Sequence, residues 1–186
     1  MKLYCIRHTK VDVPPGICYG QSDVGLAESY PTEQIAVLQQ IPSVIFDRVY
    51  SSPLSRCRML ADDLFPEYEI TCDDRLKELN FGNWELHQWE EISQTDEAKA
   101  WFDDFVHVRC PRGEAFIEQI ERAESFIIDL LEQPHDHVLL VTHGGILRSL
   151  DCLLNEVEPL DSFKRQFGYG QLVIFSLNSF KKKQEI

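Results

Sequence analysis

Residues 137–154 read HVLLVTHGGILRSLDCLL. The apolar run Val138–Val141 ends on Thr142-His143-Gly144-Gly145 and passes straight into a helical pattern. A short run that is apolar on both faces suits a strand buried in a parallel sheet. The glycines let a ligand approach the backbone, and a helix beginning there offers unpaired N–H groups and positive potential to an anion.

Working outward, the same grammar recurs. Lys2–Ile6 is a second buried strand, ending on Arg7-His8. A Pro/Gly-rich loop from Thr9 to Leu26 precedes a helix from Pro31 to about Gln40, with apolar Ile35, Leu38 and Ile41 three apart. Phe46–Tyr50 reads as a strand, and Ser51-Ser52-Pro53 as a helix start, because serine caps and proline pre-sets the first helical position. Leu54, Cys57, Leu60, Ala61 and Leu64 form that helix's apolar stripe. Glu69–Cys72 is a third strand candidate, and Glu114–Glu132 a long amphipathic helix with Phe116, Ile120, Ala123, Ile127 and Leu130 on one side. Phe163–Phe167 and Gln171–Leu177, joined through Gly168-Tyr169-Gly170, are expected to pair as a hairpin closing one edge. Strands alternating with helices predict an α/β fold. The expectation is a three-layer α/β/α sandwich with a mostly parallel sheet and one antiparallel edge strand. One domain spans 1–186, with residues 79–110 as a helical cap insertion over the carboxyl ends of the strands.

The bulk properties narrow the function. A net charge of −13 and a single basic block, Lys181-Lys182-Lys183 at the tail, argue against nucleic acid as partner. The same balance means that an anionic substrate needs a local cationic pocket. No apolar stretch approaches the roughly 20 residues of a membrane span, and the amino terminus lacks the long apolar region of a secretory signal, so a cytoplasmic protein is expected. The six cysteines contain no C-x-x-C pair, so buried free thiols are expected rather than a zinc or redox motif.

In open α/β sheets ligands bind outside the carboxyl ends of the strands. Arg7-His8, Ser51 to Arg56 and Thr142-His143-Gly144-Gly145 all arrive there. A lone histidine at a strand end is ordinarily structural, but two of them beside arginines describe a phosphate pocket. Arg56 and Arg58 lie about 200° apart on a helix, so only one faces the site, and periodicity leaves the choice open. A metal held by His8 and His143, with Asp12 or Asp23, is the competing reading. Flanking arginines disfavour it. Histidine can take a phosphoryl group covalently. Such a scheme needs an acid for the leaving alkoxide, and Glu78 lies among apolar and aromatic neighbours in LKELNFGNWE.

Arg7-His8-Thr9, Ser51-Ser52-Pro53-Leu54-Ser55-Arg56-Cys57, Glu78-Leu79-Asn80-Phe81-Gly82-Asn83-Trp84-Glu85 and Thr142-His143-Gly144-Gly145 resemble, in order, the signature blocks of the histidine phosphatase (phosphoglycerate mutase-like) superfamily. Cys18-Tyr19-Gly20-Gln21-Ser22-Asp23-Val24-Gly25-Leu26 is similar to a block of the α-ribazole-5′-phosphate phosphatases of cobalamin synthesis. The resemblance implies His8 as phosphoryl acceptor and Glu78 as proton donor. It implies Arg7, Arg56 and His143 as the phosphoryl clamp with the Gly144 amide close by, and Tyr19 and Gly20 on the leaving-group side. It selects Arg56 over Arg58. It implies a phosphomonoester hydrolase without metal or cofactor, working as a monomer or homodimer on a small phosphorylated metabolite, α-ribazole 5′-phosphate. The alternatives are a broad or sugar-phosphate phosphatase, a phosphoglycerate mutase, or a phospho-ligand binder without turnover. Three departures bear on substrate rather than chemistry. Lys10 stands where an acidic residue is common, no asparagine occurs in Val11–Pro15, and Leu86 replaces a usual glycine after Trp84-Glu85.

Overall fold

The structure, a computed structural model, describes residues 1–178 and residue 180, so Lys181-Lys182-Lys183 lies outside the described residues. Its strands are β1 (Lys2–Arg7), β2 (Arg48–Ser51), β3 (Ile70–Cys72), β4 (His137–Thr142) and β5 (Leu172–Ser176). They form one sheet in the order β3-β2-β4-β1-β5. β1, β2, β3 and β4 run parallel, and β5 joins the edge antiparallel to β1. The helices are α1 (Tyr30–Leu38), α2 (Ser55–Leu64), α3 (Trp89–Ile92), α4 (Asp96–Asp103), α5 (Phe116–Leu131), α6 (Gly144–Leu154) and α7 (Pro159–Ser162). None of the described helices is long and apolar enough to cross a membrane.

Strand period two builds the layers. Leu3 and Cys5 of β1, with Val138 and Leu140 of β4, face a core shared with α5 and α6. Tyr4 and Ile6, with Leu139 and Val141, face the opposite core, closed by α2 and by Val37 of α1. A third cluster lies apart from the sheet, where Trp84, Trp101, Ile92 and Leu79 are buried with Phe81, Trp89 and Phe105 against them. The aromatic residues of the 79–110 segment thus pack largely on each other, in a 3₁₀ turn and two short helices.

Several expectations shift in the folded chain. The α2 and α5 stripes are buried in full. On α1, by contrast, Ile35 and Leu38 are 58% and 54% exposed, and Val37 is the buried residue. α2 begins at Ser55, after Pro53, because Ser51 pairs with Val141 and the Ser52 N–H donates to the Val141 carbonyl, prolonging the extended strand. Its cap comes from far away: Asp23 Oδ1 accepts the Ser55 N–H and hydroxyl at 2.9 and 2.6 Å. The hairpin does not form. Phe163–Phe167 follows α7 as turns, its Phe163 ring packing on Phe105 and Phe116, and β5 alone reaches the edge. His137 opens β4, with the Tyr4 hydroxyl bonded to its ring. Of the six free thiols, Cys72 is exposed and Cys152 half-buried.

Leu86 sits at φ 67°, in the left-handed region, which explains why glycine suits the position. That conformation costs a branched residue about 1–2 kcal/mol, offset in part by the extra unfolded-state entropy of glycine, about 0.5–1 kcal/mol. Because the Leu86 side chain is 60% exposed and contributes little packing, Leu86→Gly is expected to stabilise the protein. Thermal unfolding should show the midpoint rising by about 2 °C; an equal fall would mean that Leu86 contacts outweigh the strain.

Candidate phosphate-binding site

The register of the sheet assembles the site. Arg7 pairs with Thr142 across β1 and β4, so the next residues, His8 and His143, emerge side by side. The His8 N–H donates to the Thr142 carbonyl at 2.9 Å, and the two imidazole centroids lie 5.1 Å apart. Both rings are buried. His8 Nδ1 lies 2.7 Å from the Thr9 carbonyl, an acceptor only, so Nδ1 carries the proton and Nε2 keeps its lone pair. His143 Nε2 contacts the Ser52 hydroxyl at 2.8 Å.

Arg56, not Arg58, enters the site. It is fully buried, and its Nη2 and Nη1 donate to the carbonyls of Gly20 and Ser22 at 2.6 and 2.9 Å, with its guanidinium 5.2 Å from the Tyr19 ring. Arg58 stays half-buried at the surface, paired with Asp62. Arg7 donates from Nη1 to the Phe167 carbonyl at 2.6 Å and stacks 3.9 Å over Tyr169. The Nε atoms of Arg7 and Arg56 are buried without a partner among the described residues. Burying cations with idle donors is costly unless an anion completes them.

Glu78 closes the site from below α6. Its carboxylate accepts the Gly145 N–H at 3.0 and 3.1 Å and the Leu79 N–H at 2.9 Å. Its carbonyl is held by Arg122 and Gln21 at 3.0 and 2.9 Å. Gly144 has more room, since a Cβ there would make only ordinary contacts, 3.4 Å from Arg7 Nε and 3.5 Å from Arg148 Nη1. Gly20 has φ 38°, and a Cβ there would lie 2.3 Å from Glu85 Oε1, so only glycine fits. Glu85 in turn accepts from the backbone of Gln21 and Ser22, locking the 19–22 loop beside Arg56. All eight sequence-derived site residues, His8, Glu78, Arg7, Arg56, His143, Gly144, Tyr19 and Gly20, therefore fall in one connected cluster.

Sequence reading missed three neighbours, Tyr169, Gln119 and Arg148, and gave Ser52, within the Ser51 to Arg56 group, no role of its own. Tyr169 lies 5.6 Å from His8 between ring centroids, and its hydroxyl meets that of Tyr19 at 2.9 Å, so the two tyrosines arch over the arginines. Ser52 and Gln119 touch His143 and Glu78. Arg148, one helical turn beyond Gly144, has its Nε buried and no hydrogen-bond partner among the described residues; its guanidinium rests 4.9 Å from the Phe163 ring. A helical i, i+4 step from Gly144 was the available signal for Arg148. Tyr169 and Gln119 arrive from distant segments with none. Asp23, a metal-ligand candidate, is committed to capping α2, and no group of three or more His, Cys, Asp or Glu among the described residues is placed to hold a metal ion.

Burial, followed by the charges of Arg56 and Arg7, holds His8 well below the usual imidazole value. Burial, then Arg56 and His8, does the same to His143. Both rings are neutral near pH 7, and His8 Nε2 is a free base. The unfolded chain takes up these protons below about pH 6.5 while the folded chain resists them, so stability falls as pH drops through that window. Each histidine contributes up to about 1.4 kcal/mol per pH unit to that slope. Urea unfolding in phosphate-free buffer at pH 7 and 5.5 should show a smaller acid loss for His143→Gln than for wild type. Equal losses would contradict a buried neutral ring.

Residues 3–185 match the family model described as the histidine phosphatase superfamily (branch 1). Over 157 residues the chain is 29% identical to the adenosylcobalamin/alpha-ribazole phosphatase of Escherichia coli strain K12, covering 81% of this chain and 77% of that one. The solved alpha-ribazole phosphatase of Shigella flexneri superposes with a TM-score of 0.88 at 25% identity, covering 96% of this chain and 92% of its own. Phosphoserine phosphatase from Entamoeba histolytica, in complex with 3-phosphoglyceric acid, superposes with a TM-score of 0.81 at 26% identity and 98% coverage of each chain.

Proposed function

The chain belongs to the histidine phosphatase superfamily, and on that premise we propose that it hydrolyses phosphomonoesters through a phosphohistidine on His8. The observation that carries the reading is the buried, neutral His8, with its Nε2 lone pair free, between two arginines whose Nε donors are idle. A phosphoryl group bound there takes those N–H donors, and the arginines stabilise charge on its equatorial oxygens. His8 Nε2 attacks phosphorus, the P–N bond forms, and the ester P–O bond breaks. Glu78 passes its proton to the departing oxygen. Water then attacks the phosphorus and yields its proton to Glu78, the P–N bond breaks, and inorganic phosphate leaves. His143, fixed by Ser52, lies beside the phosphoryl group as a further donor.

The substrate proposed first is α-ribazole 5′-phosphate, supported by the Cys18–Leu26 block and by the named E. coli and S. flexneri relatives. Arg148 favours a second reading. Its unpartnered guanidinium lies beside Gly144 and Arg7, where a carboxylate on the leaving group would satisfy it, as in 3-phosphoglycerate or phosphoserine. The purified protein, treated with a chelator, should be assayed for phosphate release from α-ribazole 5′-phosphate, a hexose phosphate, 3-phosphoglycerate and phosphoserine. The first reading expects the highest kcat/KM with α-ribazole 5′-phosphate. A lead for the carboxylates, cut about 10- to 100-fold by Arg148→Leu, supports the second, that being the worth of a charged hydrogen bond. No release from any monoester, or release only after a divalent metal is restored, would overturn the mechanism.

A further inference from the structure

We propose that Gln119 is a positioning residue for Glu78, holding one carboxylate oxygen so that the other exchanges the proton with the leaving group. The inference rests on the reading of Glu78 as proton donor. Gln119 is fully buried on the face of α5 that otherwise carries Phe116, Ile120, Ala123 and Phe126. An amide in that position is costly unless its polar atoms are used. Its Nε2 donates to Glu78 Oε1 at 3.3 Å, and its Oε1 lies 3.5 Å from the Ser149 hydroxyl of α6.

The two oxygens of Glu78 are unequally served. Oε1 accepts from Leu79 N–H, Gly145 N–H and Gln119, whereas Oε2 has only the Gly145 N–H, shared with Oε1, at 3.1 Å. Donors on an oxygen lower its basicity, so the proton resides on Oε2. Those donors come from the chain next to Glu78, from the first turn of α6 and from α5, which fixes the carboxyl plane as well as the choice of oxygen. For packing alone, an apolar residue would serve at position 119.

An acid matters most when the leaving group is a poor one, which separates positioning from structure. The experiment compares kcat for an alkyl phosphate and for 4-nitrophenyl phosphate in wild type, Glu78→Gln and Gln119→Met. Gln119→Met is expected to lower the alkyl-to-aryl ratio of kcat about fivefold to tenfold. Should Gln119→Met fail to fold, Gln119→Glu keeps the volume and replaces the amide donor to Glu78 Oε1 with a carboxylate, again lowering the ratio. A changed ratio in Glu78→Gln with none in the Gln119 variants, or equal losses on both substrates in the Gln119 variants, overturns the role of Gln119. No change of ratio in Glu78→Gln overturns the reading of Glu78 itself.

Discussion

His8→Ala is expected to lower kcat for any phosphomonoester by about 10⁴-fold, the scale at which loss of a covalent nucleophile leaves only binding and electrostatic acceleration. The expectation follows from how the ring is prepared. The Thr9 carbonyl takes the Nδ1 proton, so Nε2 is the basic nitrogen. Burial and the two arginines keep the ring uncharged, where an exposed histidine would be partly protonated and unable to attack. The same arginines that suppress the proton attract the phosphoryl dianion, so nucleophile and electrophile are drawn together by one charge pattern. Rapid acid-free quenching of wild type with a labelled substrate should trap label on His8 that acid releases and alkali does not. His8→Ala should trap none while still binding inorganic phosphate through Arg7, Arg56 and His143. Turnover by His8→Ala within about tenfold of wild type would place the nucleophile elsewhere.

Much of this arrangement was legible in the sequence because parallel strands buried on both faces must be short and continuously apolar, and because the polar residues that break them are obliged to lie at the strand ends. Val138–Val141 and Lys2–Ile6 announce themselves in that way, and His8 and His143 follow from where they stop. The α2 and α5 stripes were equally plain, since helical period three to four leaves a signature in any window of ten residues.

What escaped detection depends on contacts distant in the chain. The start of α2 is set by Asp23, thirty-two positions upstream. Ile35 and Leu38 have a helical spacing but belong to the face that α1 turns to solvent, while the single buried residue, Val37, lies between them. Tyr169 reaches Tyr19 across 150 positions, and Gln119 reaches Glu78 across 41, with no local pattern marking either residue. The choice between Arg56 and Arg58 is a borderline case. Helical geometry halves the options, the family block names one, and burial of Arg56 against the Gly20 and Ser22 carbonyls agrees.

Gly145→Ala is expected to cost about 10²–10⁴-fold in kcat on alkyl phosphates, the usual worth of a general acid, while leaving the fold intact. A Cβ at this position would lie 2.0 Å from Glu78 Oε1 and 2.8 Å from both Gln119 amide atoms. The backbone of α6 cannot yield easily, because Ile146 and Leu147 beside it are fully buried in the sheet-facing core. The movable atoms are the end of the Glu78 side chain and the Gln119 amide, so the carboxyl is displaced and loses its bond to the Gly145 N–H. Gly144, by contrast, meets only the flexible guanidinium groups of Arg7 and Arg148, at 3.4 and 3.5 Å, so Gly144→Ala should be far milder. The pair thus converts adjacent glycines into a test of which one is sterically committed to the proton donor. The readout is kcat on an alkyl phosphate against 4-nitrophenyl phosphate, whose better leaving group needs less protonation. A large loss confined to the alkyl substrate in Gly145→Ala places the damage at Glu78. Equal activities for the two alanine variants on that substrate would show that Glu78 does not depend on the space Gly145 leaves open.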